Sequence, residues 1–300
     1  MTATPPSPRR IALAGASGTI GAAVLRRLHD DGHHVAVLPR ATLAEPRALA
    51  LALALAERDC EVVISCIASR SGAPRDAQAV DYEANARLLA AARAAGAEHF
   101  ILLSAICVQK PLLAFQHAKL KFEAELQASG IGYTIIRPTA FFKSLSGQVK
   151  RVKAGKPFLI FGDGNLTRCK PISDDDLARF IASAIGNPEM LGKVLPVGGP
   201  GPAISLREQG DLLFALTGQE PRFRSVSPRM FDYAERVLNL GAPFSAWFAE
   251  KAEYARIARY YATESMLVLD PASGAYSADL TPEYGSDTLE GHYRKLLAES

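Results

Sequence analysis

The segment Gly15-Ala16-Ser17-Gly18-Thr19-Ile20-Gly21 constrains this chain more than any other, because it joins two apolar runs of different period. Before it, Ile11-Ala12-Leu13-Ala14 reads as a buried parallel strand. After it, Ile20, Val24, Leu25 and Leu28 recur at helical spacing. Strand, glycine turn and helix in that order predict a dinucleotide-binding unit. Gly15 allows the tight turn, Gly18 lets backbone approach a pyrophosphate, and Gly21 lets helix and strand pack closely. The helix start offers free N–H groups and a positive dipole end to phosphate. Gly15, Ser17, Gly18, Thr19, Ile20 and Gly21 are therefore the candidate cofactor residues.

The alternation continues along the chain. Strands are predicted at 34–38, 62–67, 100–103 and 133–136, and helices at 81–95 and 115–129. Such alternation implies an α/β fold, a Rossmann-type doubly wound parallel sheet with right-handed crossovers. The stretch between Arg40 and Val62 is too short for the helix, strand and helix of a full Rossmann half. Leu49, Leu51, Leu53 and Leu55 alternate with helix-forming residues there, so one helix is expected and the third strand is missing or vestigial. Beyond Phe142 the pattern loosens into loops marked by glycine and proline. The reading is a cofactor domain over 1–145 and a smaller, partly interleaved C-terminal substrate lobe over 146–300.

Composition removes other classes. An apolar fraction of 48% suits a globular core. The net charge of +3 comes without any Lys/Arg cluster, which argues against nucleic acid. Cys60, Cys66, Cys107 and Cys169 form neither a CxxC pair nor a metal motif, so reduced thiols and no metal site are expected. No apolar run approaches the ~20 residues of a membrane span, and the first ten residues lack a signal-peptide core. A soluble, cytoplasmic protein is the expectation.

The second strand is followed by Pro39-Arg40, where an NAD enzyme usually carries an acid for the ribose 2′-OH. A guanidinium suits a 2′-phosphate, so Arg40 points to NADPH. The spacing of this unit resembles the extended and atypical short-chain dehydrogenases. In those families a serine near a strand end precedes a Tyr-x-x-x-Lys pair on the next helix. Here Ser104 matches the serine and Lys119 the lysine, while Phe115 stands where the tyrosine would be. Ser104 and Lys119 are the candidate catalytic residues by that resemblance. Phenylalanine cannot protonate an alkoxide, which argues against ketone reduction and leaves a conjugated carbon–carbon double bond as the target. His117 lies ~200° around the helix from Phe115 and points away.

Longer stretches resemble one family in particular. These are 102–113, from Leu102-Leu103-Ser104 through Gln109-Lys110-Pro111-Leu112-Leu113, and Arg137-Pro138-Thr139-Ala140-Phe141-Phe142-Lys143. Phe161-Gly162-Asp163-Gly164, Cys169-Lys170-Pro171-Ile172-Ser173 and Tyr260-Tyr261-Ala262-Thr263-Glu264-Ser265-Met266 add to them. Together they resemble the NADPH-dependent divinyl chlorophyllide a 8-vinyl-reductases. The resemblance implies reduction of the 8-vinyl group of a magnesium tetrapyrrole to ethyl, in chlorophyll or bacteriochlorophyll synthesis. A bacterial member is expected, since no transit segment is evident. A flat tetrapyrrole needs a wide apolar slot, for which Phe115, Phe141, Phe142, Tyr260 and Tyr261, with Trp247, are the candidate substrate residues. Arg137 or Lys143 would meet the propionate, with Glu264 holding an anchor. Transient association with a membrane surface is compatible with such a substrate. The proton donor stays open among Lys119, Tyr133, Cys107 and water. Two alternatives remain: reduction of another conjugated alkene, or an NmrA-like NADP(H)-binding sensor or assembly factor without turnover.

Overall fold

Every residue of β1 (Arg10–Ala14) after Arg10 is buried, because strands on both sides and helices on both faces cover it. In the computed structural model, which describes residues 7–44, 46–55 and 59–299, β1 pairs in parallel with β2 (His34–Leu38) and with β3 (Val62–Ser65). The sheet continues through β4 (His99–Leu103), β5 (Gly132–Pro138) and a sixth parallel strand, Lys193–Val197. Successive side chains point to opposite faces. Ile11 and Leu13 therefore enter one core with α1 (Thr19–Asp30) and the helix Asp174–Ala182, while Ala12 and Ala14 enter the other. That second core is filled by Leu49 and Leu53 of α2 (Pro46–Leu55), Leu88, Phe100 and Phe122. Leu49 and Leu53 are one helical turn apart, so the leucine–alanine alternation buries one stripe of a helix.

β3 pairs with β1 on the side away from β2, and no strand among the described residues pairs with the outer edge of β2. The chain reverses its direction of travel across the sheet between β1 and β3. In open α/β sheets that switch point, at the carboxyl ends of the strands, is where ligands bind.

The sixth strand belongs to the central sheet although it follows the lobe's first elements. The lobe core collects Phe158, Phe214 and the half-buried Phe223, with ring centroids 6.1 and 5.6 Å from Phe223. The last helix, Leu289–Glu299, is anchored by Tyr293, whose hydroxyl donates to the Leu145 carbonyl at 2.9 Å.

Two buried ionic groups brace the helix Ala114–Ala128. Lys119 lies 3.0 Å from Asp81, whose side chain is fully buried on a π-helical segment, Ala77–Ala84. Ser104 donates to Glu123 at 2.5 Å, and Arg137 pairs with the same carboxylate. These contacts involve Ser104 and Lys119, the expected catalytic residues, and Arg137, an expected propionate anchor. Each is held by a buried acid that lies elsewhere in the chain.

Lys119→Ala would leave the Asp81 carboxylate buried and unpaired, and should lower the unfolding free energy by about 3–5 kcal/mol. Urea unfolding measures this, and Lys119→Ala combined with Asp81→Asn should recover much of the loss. A single variant as stable as the parent would mean that the pair does not form.

His99 accepts or donates a bond with Thr134 at 2.9 Å, and burial lowers its pKa from 6.5 to about 4. The unfolded chain then binds the extra proton first, so stability present above pH 6.5 is lost as pH falls toward 4. The loss should reach about 3 kcal/mol. Denaturant unfolding at stepped pH should show that slope, and His99→Gln should flatten it.

Candidate active site

Gly15 has φ +86°, and a Cβ there would come within 2.6 Å of the Cys66 carbonyl oxygen. A Cβ on Gly21 would come within 2.1 Å of the Gly15 oxygen. The fold itself therefore demands glycine at both positions. Gly18 is different, because a Cβ there would meet nothing closer than 3.4 Å. It faces the open cleft, where close approach by a ligand rather than by protein gives glycine its use. Gly18 begins α1 without a side-chain cap, and the first turn carries no acid, so its N–H groups remain for an anion.

A cleft of 620 Å³ opens there, lined by the glycine loop, residues 37–40 and 66–68, Arg70, Lys143 and Asp174. Ser17 and Thr19 are exposed on it, while Ile20 also reaches into the core. Arg40 and Arg70 are exposed cations in its wall. Burial works to raise the Asp76 pKa, but hydrogen bonds from Ser71 and Arg70 and the field of Arg40 outweigh it and hold the carboxyl low. The Arg70 backbone N–H and the charge of Arg40 thus both act on the Asp76 carboxylate, and both residues line the cleft. Lys143 donates to the Thr19 hydroxyl at 2.7 Å, which brings a further cation to the start of α1. Lys143, an expected propionate anchor, is thus placed at the nucleotide cleft. Arg70 and Asp174 were missed, because nothing near either in sequence marks the cleft. Burial, then the neighbouring Asp175, pushes the Asp174 carboxyl up.

A second cavity of 560 Å³ adjoins the cleft, and Phe141 and Ser144 line both. Its wall is largely apolar, with Phe158, Phe161 and Met266 among its residues. Arg168 is the single Lys or Arg in that wall among the described residues, held by Glu208 at 2.7 Å and by the Ala203 carbonyl. Cys107 and Tyr261 face each other at one side, and burial pushes both pKa values up. Glu264 is also in the wall, where it accepts from Lys110 and from Tyr276, each at 2.8 Å.

Of the aromatic residues expected around a substrate, Phe141 and Tyr261 line this cavity. Phe142 turns into the lobe core against His292, with 5.4 Å between centroids. Tyr260 is buried one helical step away, where its hydroxyl donates to the Cys107 and Lys110 carbonyls at 2.9 and 3.1 Å. Phe115 packs beside Gly72 and lines neither space. Trp247 is exposed outside both, and Tyr133 packs against the central core. Phe115, Phe142, Tyr260 and Trp247 are thereby corrected to positions away from the cavity wall.

The stretches around 102–113 and 260–269 meet in space. Gln109 donates to the Leu267 carbonyl at 2.5 Å and accepts from the Leu269 N–H at 2.8 Å. Gln116 accepts from the Leu112 and Leu113 N–H groups and donates to the Cys107 carbonyl. This clamp sets Cys107 and Tyr261 in the same wall.

A family model described as NAD(P)H-binding matches residues 15–188. The chain is 55% identical over 80% of its length to the chloroplastic divinyl chlorophyllide a 8-vinyl-reductase of Cucumis sativus, of which it spans 58%. It is 46% identical over 98% of its length to the protein of the same name from Oryza sativa subsp. indica, of which it spans 80%. Among solved structures, an NADPH-dependent quinone oxidoreductase from Escherichia coli, complexed with NADPH, shares the fold. Its TM-score is 0.64 at 17% identity, covering 96% of this chain and 99% of that one. Both relatives are named chloroplastic, which overturns the cytoplasmic location expected from the sequence. That expectation leaned on where the chain begins, which carries no such conclusion. With a parallel Rossmann-type sheet, a nucleotide cleft at its switch point and this similarity along nearly its whole length, the chain belongs to the divinyl chlorophyllide a 8-vinyl-reductase family of oxidoreductases.

Proposed function

We propose that the chain reduces the 8-vinyl group of divinyl chlorophyllide a, or a related magnesium tetrapyrrole, to ethyl at the expense of NADPH, in chlorophyll or bacteriochlorophyll synthesis. The observation that carries this reading is the junction of a nucleotide cleft with an apolar cavity at Phe141 and Ser144, in a member of this family. NADPH, when bound, supplies the hydride. Gly18 and the N–H groups of α1 take the pyrophosphate together with Lys143. Arg40 and Arg70 take the 2′-phosphate. Phe141 and Ser144 form the wall across which cofactor and substrate face each other.

Addition of hydride to the outer vinyl carbon leaves charge on the inner carbon, where the macrocycle spreads it. Tyr261 is the donor that completes the reduction, with Cys107 beside it. Burial keeps both groups protonated at neutral pH. A weak neutral acid suits a basic, delocalised carbanion, whereas an alkoxide-forming ketone would not find its usual tyrosine at Phe115.

Purified protein with NADPH should convert the 8-vinyl compound to the 8-ethyl one without flavin or an iron–sulfur cluster. Product mass and retention time read this, and NADPH-binding protein that leaves the vinyl group intact would overturn the proposal. Tyr261→Phe should lower kcat by roughly 10²–10⁴-fold with NADPH affinity unchanged. Arg40→Glu should cost about 1.5–3 kcal/mol of NADPH binding while sparing NADH. Calorimetry with both nucleotides tests this, and equal affinity of the parent for the two would contradict the 2′-phosphate assignment.

A further inference from the structure

The helices Arg229–Gly241 and Ala246–Thr263 form a hairpin whose outer face is apolar. Met230, Tyr233, Val237 and Leu240 recur at spacings of three and four, so they share one face of the first helix. They are 54%, 72%, 48% and 77% exposed, and no residue of that helix is buried. Phe244 in the turn is 88% exposed and Trp247 is 56% exposed. A Cβ on Gly241 would strike the Phe248 ring at 2.6 Å, so the turn closes only with glycine there.

The hairpin spends its acids internally. Glu235 pairs with Arg256 at 2.6 Å, Asp232 pairs with Arg259, and Glu253 with Arg256 at 3.3 Å. Arg229 and Arg236 make no ion pair among the described residues, and Lys251 lies over the rings of Trp247 and Tyr254 at 5.8 and 5.2 Å. Against these three cations stands one unpaired carboxylate, Glu250. An exposed apolar face edged with Lys and Arg is the pattern of a helix that lies in a lipid interface.

The hairpin also borders the substrate cavity. Phe231 meets Phe161, a cavity-wall residue, edge to face, with centroids 5.6 Å apart. Trp247, Tyr254 and Tyr261 recur every seventh residue, so one stripe runs from the exposed tip to the cavity wall.

We propose that this hairpin docks the protein on an anionic lipid surface, with Leu240, Phe244 and Trp247 entering the interface and Arg229, Arg236 and Lys251 meeting lipid phosphates. A second copy of the chain is the weaker occupant, because two-fold pairing of this face would set like cations against one another. Among the described residues no helix is long and apolar enough to cross a membrane, so the contact is peripheral. Docking stands independently of the substrate reading above. Passage of a flat amphiphile from the lipid along Tyr254 to Tyr261 rests on it.

Trp247 is the chain's one tryptophan, so its fluorescence reports the tip directly. The full chain should co-float with vesicles of phosphatidylcholine and phosphatidylglycerol, and Trp247 emission should shift to the blue. Pure phosphatidylcholine should bind it roughly tenfold more weakly. Leu240→Glu with Phe244→Glu should abolish flotation while leaving Tm and the turnover of detergent-dispersed substrate unchanged. Neither flotation nor a blue shift, or equal binding to both vesicle types, would overturn the proposal. So would a blue shift without lipid that tracks a dimer mass by light scattering. No substrate is needed for flotation, so its outcome is independent of the proposed reaction.

Discussion

The Gly15 carbonyl lies so close to Gly21 that a Cβ there would come within 2.1 Å of its oxygen, and no side chain fits. Everything at the nucleotide cleft depends on it. It brings α1 onto β1 at a distance that points the helix N-terminus into the switch point between β1 and β3. A helix held farther away would lose its hold on that corner, and with it the alignment of Lys143 over Thr19. The left-handed turn at Gly15 and the Cys66 carbonyl behind it complete the constraint from the β3 side. Backbone packing therefore shapes the cleft, and side chains only charge it.

The second cavity is built by a different kind of constraint. Its wall joins residues that are far apart in sequence, and amide side chains rather than glycine set the spacing. Gln116 ties the turn that carries Cys107, and Gln109 ties that turn to the strand entered by Leu267 and Leu269. Tyr260 adds its hydroxyl to the same Cys107 carbonyl and to that of Lys110. One residue along the helix, Tyr261 faces the opposite environment and opens on the cavity. The polar groups of this wall are oriented by neighbours that never touch the space they shape.

Hydrophobic period and glycine placement made the sheet readable from sequence, since both are local signals. The alternation at Leu49 and Leu53 resolved into a helix because composition there favoured one, and the short connection left no room for a further strand. The reactive groups were less legible. Ser104 and Lys119 sit at the spacing of a familiar catalytic set, yet Glu123 and Asp81 capture them, and nothing in local sequence announces those partners. Adjacent residues divided just as sharply: Phe141 lines both spaces while Phe142 fills a core, and Tyr261 is in the wall while Tyr260 is behind it. Which of two neighbouring aromatics faces inward depends on the tertiary surface each meets, and pattern alone carries no such information.

The two spaces also differ in when a growing chain can make them. Every wall residue of the nucleotide cleft lies between Gly15 and Asp174. The second cavity waits for Tyr261, Glu264 and Met266, which follow every one of those residues in sequence. Synthesis runs from the N-terminus, and native contacts between distant residues form only after both partners have emerged. The glycine-loop cleft can thus be complete before the apolar cavity closes. Until the segment of Leu267 and Leu269 docks on Gln109, the apolar wall around Phe158 and Phe161 lacks one side, and such transiently exposed apolar surface is prone to aggregation.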